Sequence, residues 1–336
     1  MSRTPKKLLA IGLLGAAAAI AGCGGVEDTG PGDARGSAKL NLVAYSTPKE
    51  AYEEIIPAFA RTPEGEGVSF SQSYGNSGDQ ARAVIAGLPA NVAALSLEPD
   101  VTKLVDEELV APEWDATPTK GIVTRSVVAF AVRPGNPKDI QDWDDLVKPG
   151  VEVLTPNPFT SGGARWNVMA AYGAQLEQGR SEQEAVDYLE RLFENVVVQD
   201  KSARESLQNF TGGKGDVLIS YENEAITAQQ KGEKLDYVVP DETILIENPI
   251  AVTSEAGPKA RAFADYVTSE PAQRIFAAKG YRSVIDALVD ERRYPEPPEL
   301  FDIARVGGWE AVMDRFFDPT DSVMQRIEES LGVSTS

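Results

Sequence analysis

The chain has 336 residues, 42% of them hydrophobic, with 52 acidic against 32 basic residues, no His and one Cys. That length and apolar share suit two modest domains with ordinary cores. The formal charge of −20 excludes a surface built for nucleic acid or an anionic membrane, the lack of His removes the commonest general base and metal ligand, and a single thiol cannot form an internal disulfide.

Met1 to Lys7 is a basic head, and Leu8 to Ala21 is an apolar run that ends in small residues. This is the plan of a secretory signal peptide over residues 1–22. The run is short for a membrane anchor. Ile20-Ala21-Gly22-Cys23 resembles the lipobox of bacterial lipoproteins, which implies cleavage before Cys23 and lipid on its thiol. Removing residues 1–22 takes away Arg3, Lys6 and Lys7 and no acid, so the mature body is more acidic still. Gly24 to Ala38 is rich in Gly, Asp and small residues, and residues 23–38 are expected to be a loose tether.

From Leu40 the pattern alternates between strand and helix, with strands expected near 40–45, 68–74 and 92–97 and helices near 48–60, 77–88 and 99–108. Ile122 to Val132 is a long β-rich run closed by Pro134-Gly135-Asn136-Pro137, placed to cross from one domain to the next. A second α/β block follows to Asp241, in which Ser181-Glu182-Gln183-Glu184 is a capping box that opens a helix. Thr243 to Val252 is a second β run, placed to bring the chain back. Pro258 starts a helix, Gly280 ends the next, and helical segments around 309–317 and 322–331 form a tail. Domain 1 is therefore expected over 39–125 plus 249–336, and domain 2 over 126–248.

The most informative stretch is Asn157-Pro158-Phe159-Thr160-Ser161-Gly162-Gly163-Ala164-Arg165-Trp166. It lies where the strand pattern Val151 to Leu154 feeds a helix through Trp166 to Leu176, with Gly179 as its end signal. First-turn N–H groups have no partner inside the helix, and the dipole puts positive charge there. Glycines at that point let an anion approach those groups. Two readings stay open for this stretch alone: an anion seat of neutral donors, or a capped, flexible turn. The device recurs, however. Ser46, Ser77, Ser161 and Ser202 each stand where a strand gives way to a helix, and four such junctions suggest one shared crevice at the carboxyl ends of the strands.

The run Asn157 to Asn167 resembles the signature segment of the sulfate-binding proteins of ABC-type uptake systems. Tyr74-Gly75-Asn76-Ser77-Gly78-Asp79-Gln80 and the segment Gly215 to Ala225 resemble two further family segments, in the same order. The resemblance runs from about Leu40 to about Arg282 and fits Gly307-Gly308-Trp309. It implies an α/β, two-domain type II periplasmic-binding-protein fold, hinged, with the ligand cleft between the domains. It also implies a protein that is no enzyme, needs no cofactor or metal, and works as a monomer. Such a protein captures sulfate or thiosulfate and hands it to the permease and ATPase of an importer, here from the outer face of the cytoplasmic membrane through the Cys23 anchor. Ser161, Gly162 and Gly163 match the signature turn, Ser77 the Ser of the Gly-x-Ser-Gly turn, and Ala203 a backbone donor. Tyr221 stands where the family usually has Trp, and Ser46 where it usually has Asp. Both departures change what the seat offers, because Tyr can accept as well as donate and Ser is neutral.

Arg165 and Arg204 lie just inside two of these helices and are expected to hold structural ion pairs rather than the ligand. Asp79 and Glu222 are expected to face solvent or pair with Arg, since a carboxylate repels a dianion. Alternatives of the same class are phosphate, molybdate and tungstate. From another class, Ser46-Thr47-Pro48-Lys49 matches the Ser-x-x-Lys of serine acyl-enzymes, without its companion motifs.

Overall fold

The computed structural model describes residues 26–29 and 38–333. The expected signal peptide, Cys23 and the expected tether apart from 26–29 and residue 38 lie outside the described residues. The tether expectation is corrected at Val26–Thr29, which forms strand β1 antiparallel to residues 70–73. The open edge there has unpaired backbone groups, and four extended residues satisfy them.

The next elements are β2 (Ala38–Tyr45), α1 (Lys49–Phe59), β3 (Val68–Gly75), α2 (Ser77–Ile85), β4 (Val92–Ala94) and α3 (Glu98–Asp106). Strands β3, β2 and β4 pair in parallel, as crossover helices require. Tyr52 and Phe59 from α1 pack with Phe70 on one face of this sheet, and α2 and α3 close the other with Ala81, Val84, Val101 and Leu104.

Strand β5 (Ile122–Val132) then leaves this lobe. The second lobe holds α4 (Trp143–Leu146), β6 (Val153–Pro156), α5 (Gly162–Glu177), α6 (Glu182–Glu194), β7 (Val196–Asp200), α7 (Ala203–Thr211), β8 (Val217–Tyr221), α8 (Glu222–Gln230) and β9 (Asp236–Val238). The capping box at Ser181 opens α6 as expected, with both reciprocal bonds formed. Helix α5 starts four residues before Trp166, and 14 of its 16 residues are buried, so it carries no polar face for periodicity to reveal.

Strand β10 (Glu242–Val252) returns the chain. Its first part pairs with β5 and its last part with β4, so β5 and β10 form the ribbon between the lobes. The resulting sheet order is β1-β3-β2-β4-β10-β5-β8-β6-β7. Helices α9 (Pro258–Val267) and α10 (Glu270–Ala278) complete the first lobe, where Phe263 meets Phe59 edge-on at 5.2 Å.

The tail comprises β11 (Glu299–Phe301), α11 (Gly308–Phe317) and α12 (Val323–Ser330). The sequence pattern placed it with domain 1, but its helices pack on α5 and α6 of the second lobe. Trp309 meets Trp166 edge-on at 4.7 Å, and Phe316 meets Tyr172 at 4.8 Å. The aromatic face of α5 needs a cover, and the tail supplies it.

Candidate functional site

Three helices of at least two turns point their N-termini at one place between the lobes: α2 from the first lobe, α5 and α7 from the second. They surround a small cavity of about 10 Å³ lined by Tyr45, Ser46, Thr47, Gly75, Asn76, Ser77, Ser96, Ser161, Gly162, Gly163, Ser202, Ala203 and Tyr221. Pockets for drug-sized ligands span roughly 300–1,000 Å³, so this one has the size class of a small ion. All seven ligand-binding residues expected from the sequence line it. A wider depression of about 1040 Å³, around Trp114, Pro118, Ile250 and Arg261, holds none of them.

No charged side chain lines the cavity. Its donors are first-turn amides. Among the described residues, the N–H groups of Ser77, Gly162, Gly163 and Ala203 have no protein acceptor. All four residues are buried, and a buried amide left unpaired is rare and costly. Unpaired buried amides at three helix starts are an arrangement suited to an anion.

The glycines serve close approach. A Cβ on Gly162 meets Ser96 Oγ at 2.8 Å and Ser96 Cβ at 2.9 Å, so only Gly lets α5 come this near the end of β4. A Cβ on Gly163 meets Ala203 Cβ and Ser161 Oγ at 3.5 Å and Tyr221 Cε1 at 3.6 Å. It fits, but it occupies the cavity.

The four serines expected at helix caps divide. Ser161 Oγ accepts from the Ala164 N–H at 3.4 Å, and Ser202 Oγ accepts from the Glu205 N–H at 3.3 Å. Ser46 caps nothing, because Pro48 takes the cap position of α1. Ser77 is the first helical residue after Asn76. Its hydroxyl donates to Asp100 Oδ2 at 2.6 Å and accepts from the Ser96 N–H at 2.9 Å.

Tyr221 Oη lies 2.8 Å from Ser96 Oγ. Burial pushes the Tyr221 pKa well above its usual value and pushes that of Tyr45 up to about 12, so both phenols stay protonated at neutral pH. Ser96 carried no local signal in the sequence, yet it also accepts Trp166 Nε1–H on its carbonyl at 2.9 Å. Tyr45, Thr47, Gly75 and Asn76 were likewise not singled out.

Both suspect arginines are occupied away from the cavity. Arg165 donates through Nε to the Pro158 carbonyl at 2.9 Å, and its Nη1 is 3.9 Å from Asp100 Oδ1. Arg204 binds Glu50 of α1 and Glu224 of α8, the latter at 3.1 Å, while Lys231 also binds Glu50. Burial raises the Glu50 carboxyl, but its bonds to Arg204 and Lys231 outweigh that and bring it down to about 2. Burial pushes Glu224 up despite Arg204. Asp79 pairs with Arg82 on the surface, and Glu222 pairs with Arg282 at 2.9 Å in the interior. Lys49 Nζ lies over the Tyr74 ring at 5.9 Å and 4.0 Å from Glu53. Among the described residues no acidic, Cys or His cluster suits a metal ion, and no helix is long and apolar enough to cross a membrane.

Residues 40–282 match the family model described as bacterial extracellular solute-binding protein. A sulfate-binding protein of Synechococcus elongatus is 43% identical over 311 residues, 89% of each chain. A thiosulfate-binding protein of Pseudomonas aeruginosa is 32% identical over 331 residues, covering 93% of this chain and 96% of that one. The solved structure of the sulfate-binding protein SubI from Mycobacterium tuberculosis H37Rv superposes with a TM-score of 0.81 at 43% identity, over 83% of this chain and 99% of that one. The two-lobed architecture, the ribbon that joins the lobes and these likenesses agree, and the chain belongs to the bacterial extracellular solute-binding proteins of type II fold, within the family that holds the sulfate- and thiosulfate-binding proteins.

Proposed function

We propose that this chain binds sulfate, or the similar thiosulfate, outside the cytoplasm and delivers it to the permease and ATPase of an ABC importer, with no chemistry of its own. The observation that carries the reading is the set of four partnerless buried amides around a small cavity without a charged side chain. Such a set suits an anion that carries no proton. The names of the relatives support sulfate and thiosulfate as the ligand class. The contacts are assigned to Ser46, Ser77, Ser161, Gly162, Gly163, Ala203 and Tyr221. The moving bodies are taken as residues 39–125 with 249–300, and 126–248 with the tail helices. The chain acts as a monomer held by a lipid on Cys23 at the outer face of the cytoplasmic membrane. Calorimetry of the purified body against sulfate, thiosulfate, phosphate, molybdate and tungstate tests this. Sulfate or thiosulfate should bind in preference to the others, and a silent titration with both would sink the reading.

A further inference from the structure

Asn248 lies in the ribbon that joins the lobes, opposite Thr124 of β5 and at the bulge between Asn248 and Pro249. It is fully buried, next to Glu247, which pairs with Arg125. A buried amide side chain costs stability unless its bonds are met, and those of Asn248 lead to the cavity wall. Its Oδ1 accepts from Tyr45 Oη at 2.9 Å and from Thr124 Oγ1 at 3.1 Å. Its Nδ2 donates to the Ser96 carbonyl at 3.0 Å. Tyr45 and Ser96 line the cavity, whereas Asn248 and Thr124 do not.

Ser96 is one of the places where the two lobes meet. Its carbonyl also takes Trp166 Nε1–H and its hydroxyl meets Tyr221 Oη, both from the second lobe. Its N–H holds Ser77 Oγ. One carbonyl thus accepts one bond from the ribbon and one from across the cleft.

We infer that Asn248 is a positioning residue that ties the ribbon to the ligand seat through Ser96, so that the cross-lobe contacts of Ser96 form in register when the cleft closes. This rests on the reading of the cavity as the sulfate seat. Asn248 acts on the lifetime of the closed state and not on the first encounter, because the open lobes present the same helix starts with or without it.

Sodium sulfate titrated into the full chain tests this, with calorimetry for Kd and stopped-flow tryptophan fluorescence for kon and koff. Asn248→Ala should raise Kd at least tenfold, and Thr124→Val, which removes one bond to Asn248, about two- to fivefold. Both losses should appear in koff with kon unchanged. Thr124→Val is nearly isosteric and keeps the test open where Asn248→Ala does not fold. Variants within twofold of wild type in Kd, or a loss carried by kon at constant koff, overturn the inference. Hydrogen exchange over residues 95–97 without ligand separates the two readings. Faster exchange there in the variants, with no sulfate binding by wild type, refutes the ligand and supports the role of Asn248. Unchanged exchange refutes that role.

Discussion

The contact most exposed to test is the ion-pair cluster that spans the cleft. Glu50 belongs to α1 of the first lobe, and Arg204 and Lys231 belong to the second. Opening the lobes separates them, so their attraction is energy of the closed state. The Glu50 carboxyl falls from 4.5 to about 2; at about 1.4 kcal/mol per pKa unit that is about 3.5 kcal/mol as a ceiling. The Glu50 side chain is 15% exposed but Lys231 is 50% exposed, and solvent screening brings the expected value to about 1–2 kcal/mol. Glu50→Gln at pH 7 should therefore weaken sulfate binding about 5- to 30-fold. A depressed carboxylate contributes fully above its unperturbed value and loses that contribution as pH falls towards its folded one. The wild-type affinity should accordingly drop between about pH 5 and pH 3, and that of Glu50→Gln should drop less. Calorimetry of wild type, Glu50→Gln, Lys231→Gln and the double variant, at low and high salt, measures the coupling. An affinity for Glu50→Gln within twofold of wild type, or strict additivity with Lys231→Gln, would refute the closure argument.

Ser161→Ala removes one hydroxyl from the seat and should cost about 1.5–3 kcal/mol, or roughly 10- to 150-fold in affinity by calorimetry; wild-type affinity would place the hydroxyl outside the site. Gly163→Ala should keep or slightly raise the melting temperature, since Ala is the better helix former, while its Cβ blocks the cavity and abolishes or strongly weakens binding; a variant that binds sulfate normally would move the seat away from α5. Sulfate should be preferred over phosphate by at least about tenfold, because a phosphate proton finds no carboxylate at the cavity wall, and the seat itself, with no charged side chain and no His in its wall, should add no pH dependence, so that any change between about pH 5 and pH 8 traces to the Glu224 carboxyl, raised by burial beside Arg204. Cys23→Ala should release the protein from the membrane fraction and leave sulfate affinity unchanged; retention at the membrane would contradict lipidation at Cys23.

The alternation of strands and helices was legible over most of Leu40 to Ala278 because most elements keep their own apolar spacing, while α5, buried all round, was read from its glycine-rich start. The seat was legible where it depends on backbone: Ser161-Gly162-Gly163 shows in sequence as a capped, glycine-rich helix start, and Gly162 is the position where close approach tolerates no side chain. The same logic failed at Ser46 and Ser77, where the neighbours Pro48 and Asn76 occupy the cap and leave the hydroxyls for other partners. Ser96 was invisible because it follows a three-residue strand and owes its role wholly to residues 19 to 152 positions away. Asn248 left no distinct trace, because it follows the charged Glu247 and its burial is not visible in the sequence. The tail went to the wrong lobe because its aromatic residues announce burial and not the partner that buries them. Arg165 and Arg204 were read as structural because dipoles sit nearer the turn, and their carboxylate partners agree with that.

A body with 20 more acidic than basic residues has to hold a dianion against its own field. Screening confines that field to roughly 8 Å at physiological salt, while the amides act at hydrogen-bond distance in a medium of low dielectric. Each helix start contributes roughly half a positive charge, so α2, α5 and α7 together offset most of a dianion without a single cation in the wall. A guanidinium in the cavity would bind more tightly but would also hold any anion, and here both nearby arginines are drawn away by Asp100, Glu50 and Glu224. The two tasks thereby fall to different groups. The seat is built from dipoles that do not titrate, whereas the ion pairs across the cleft rest on the Glu50 carboxylate, which does. Acidification below about pH 5 should then act on the closed state through Glu50 and leave the donors of the seat as they are.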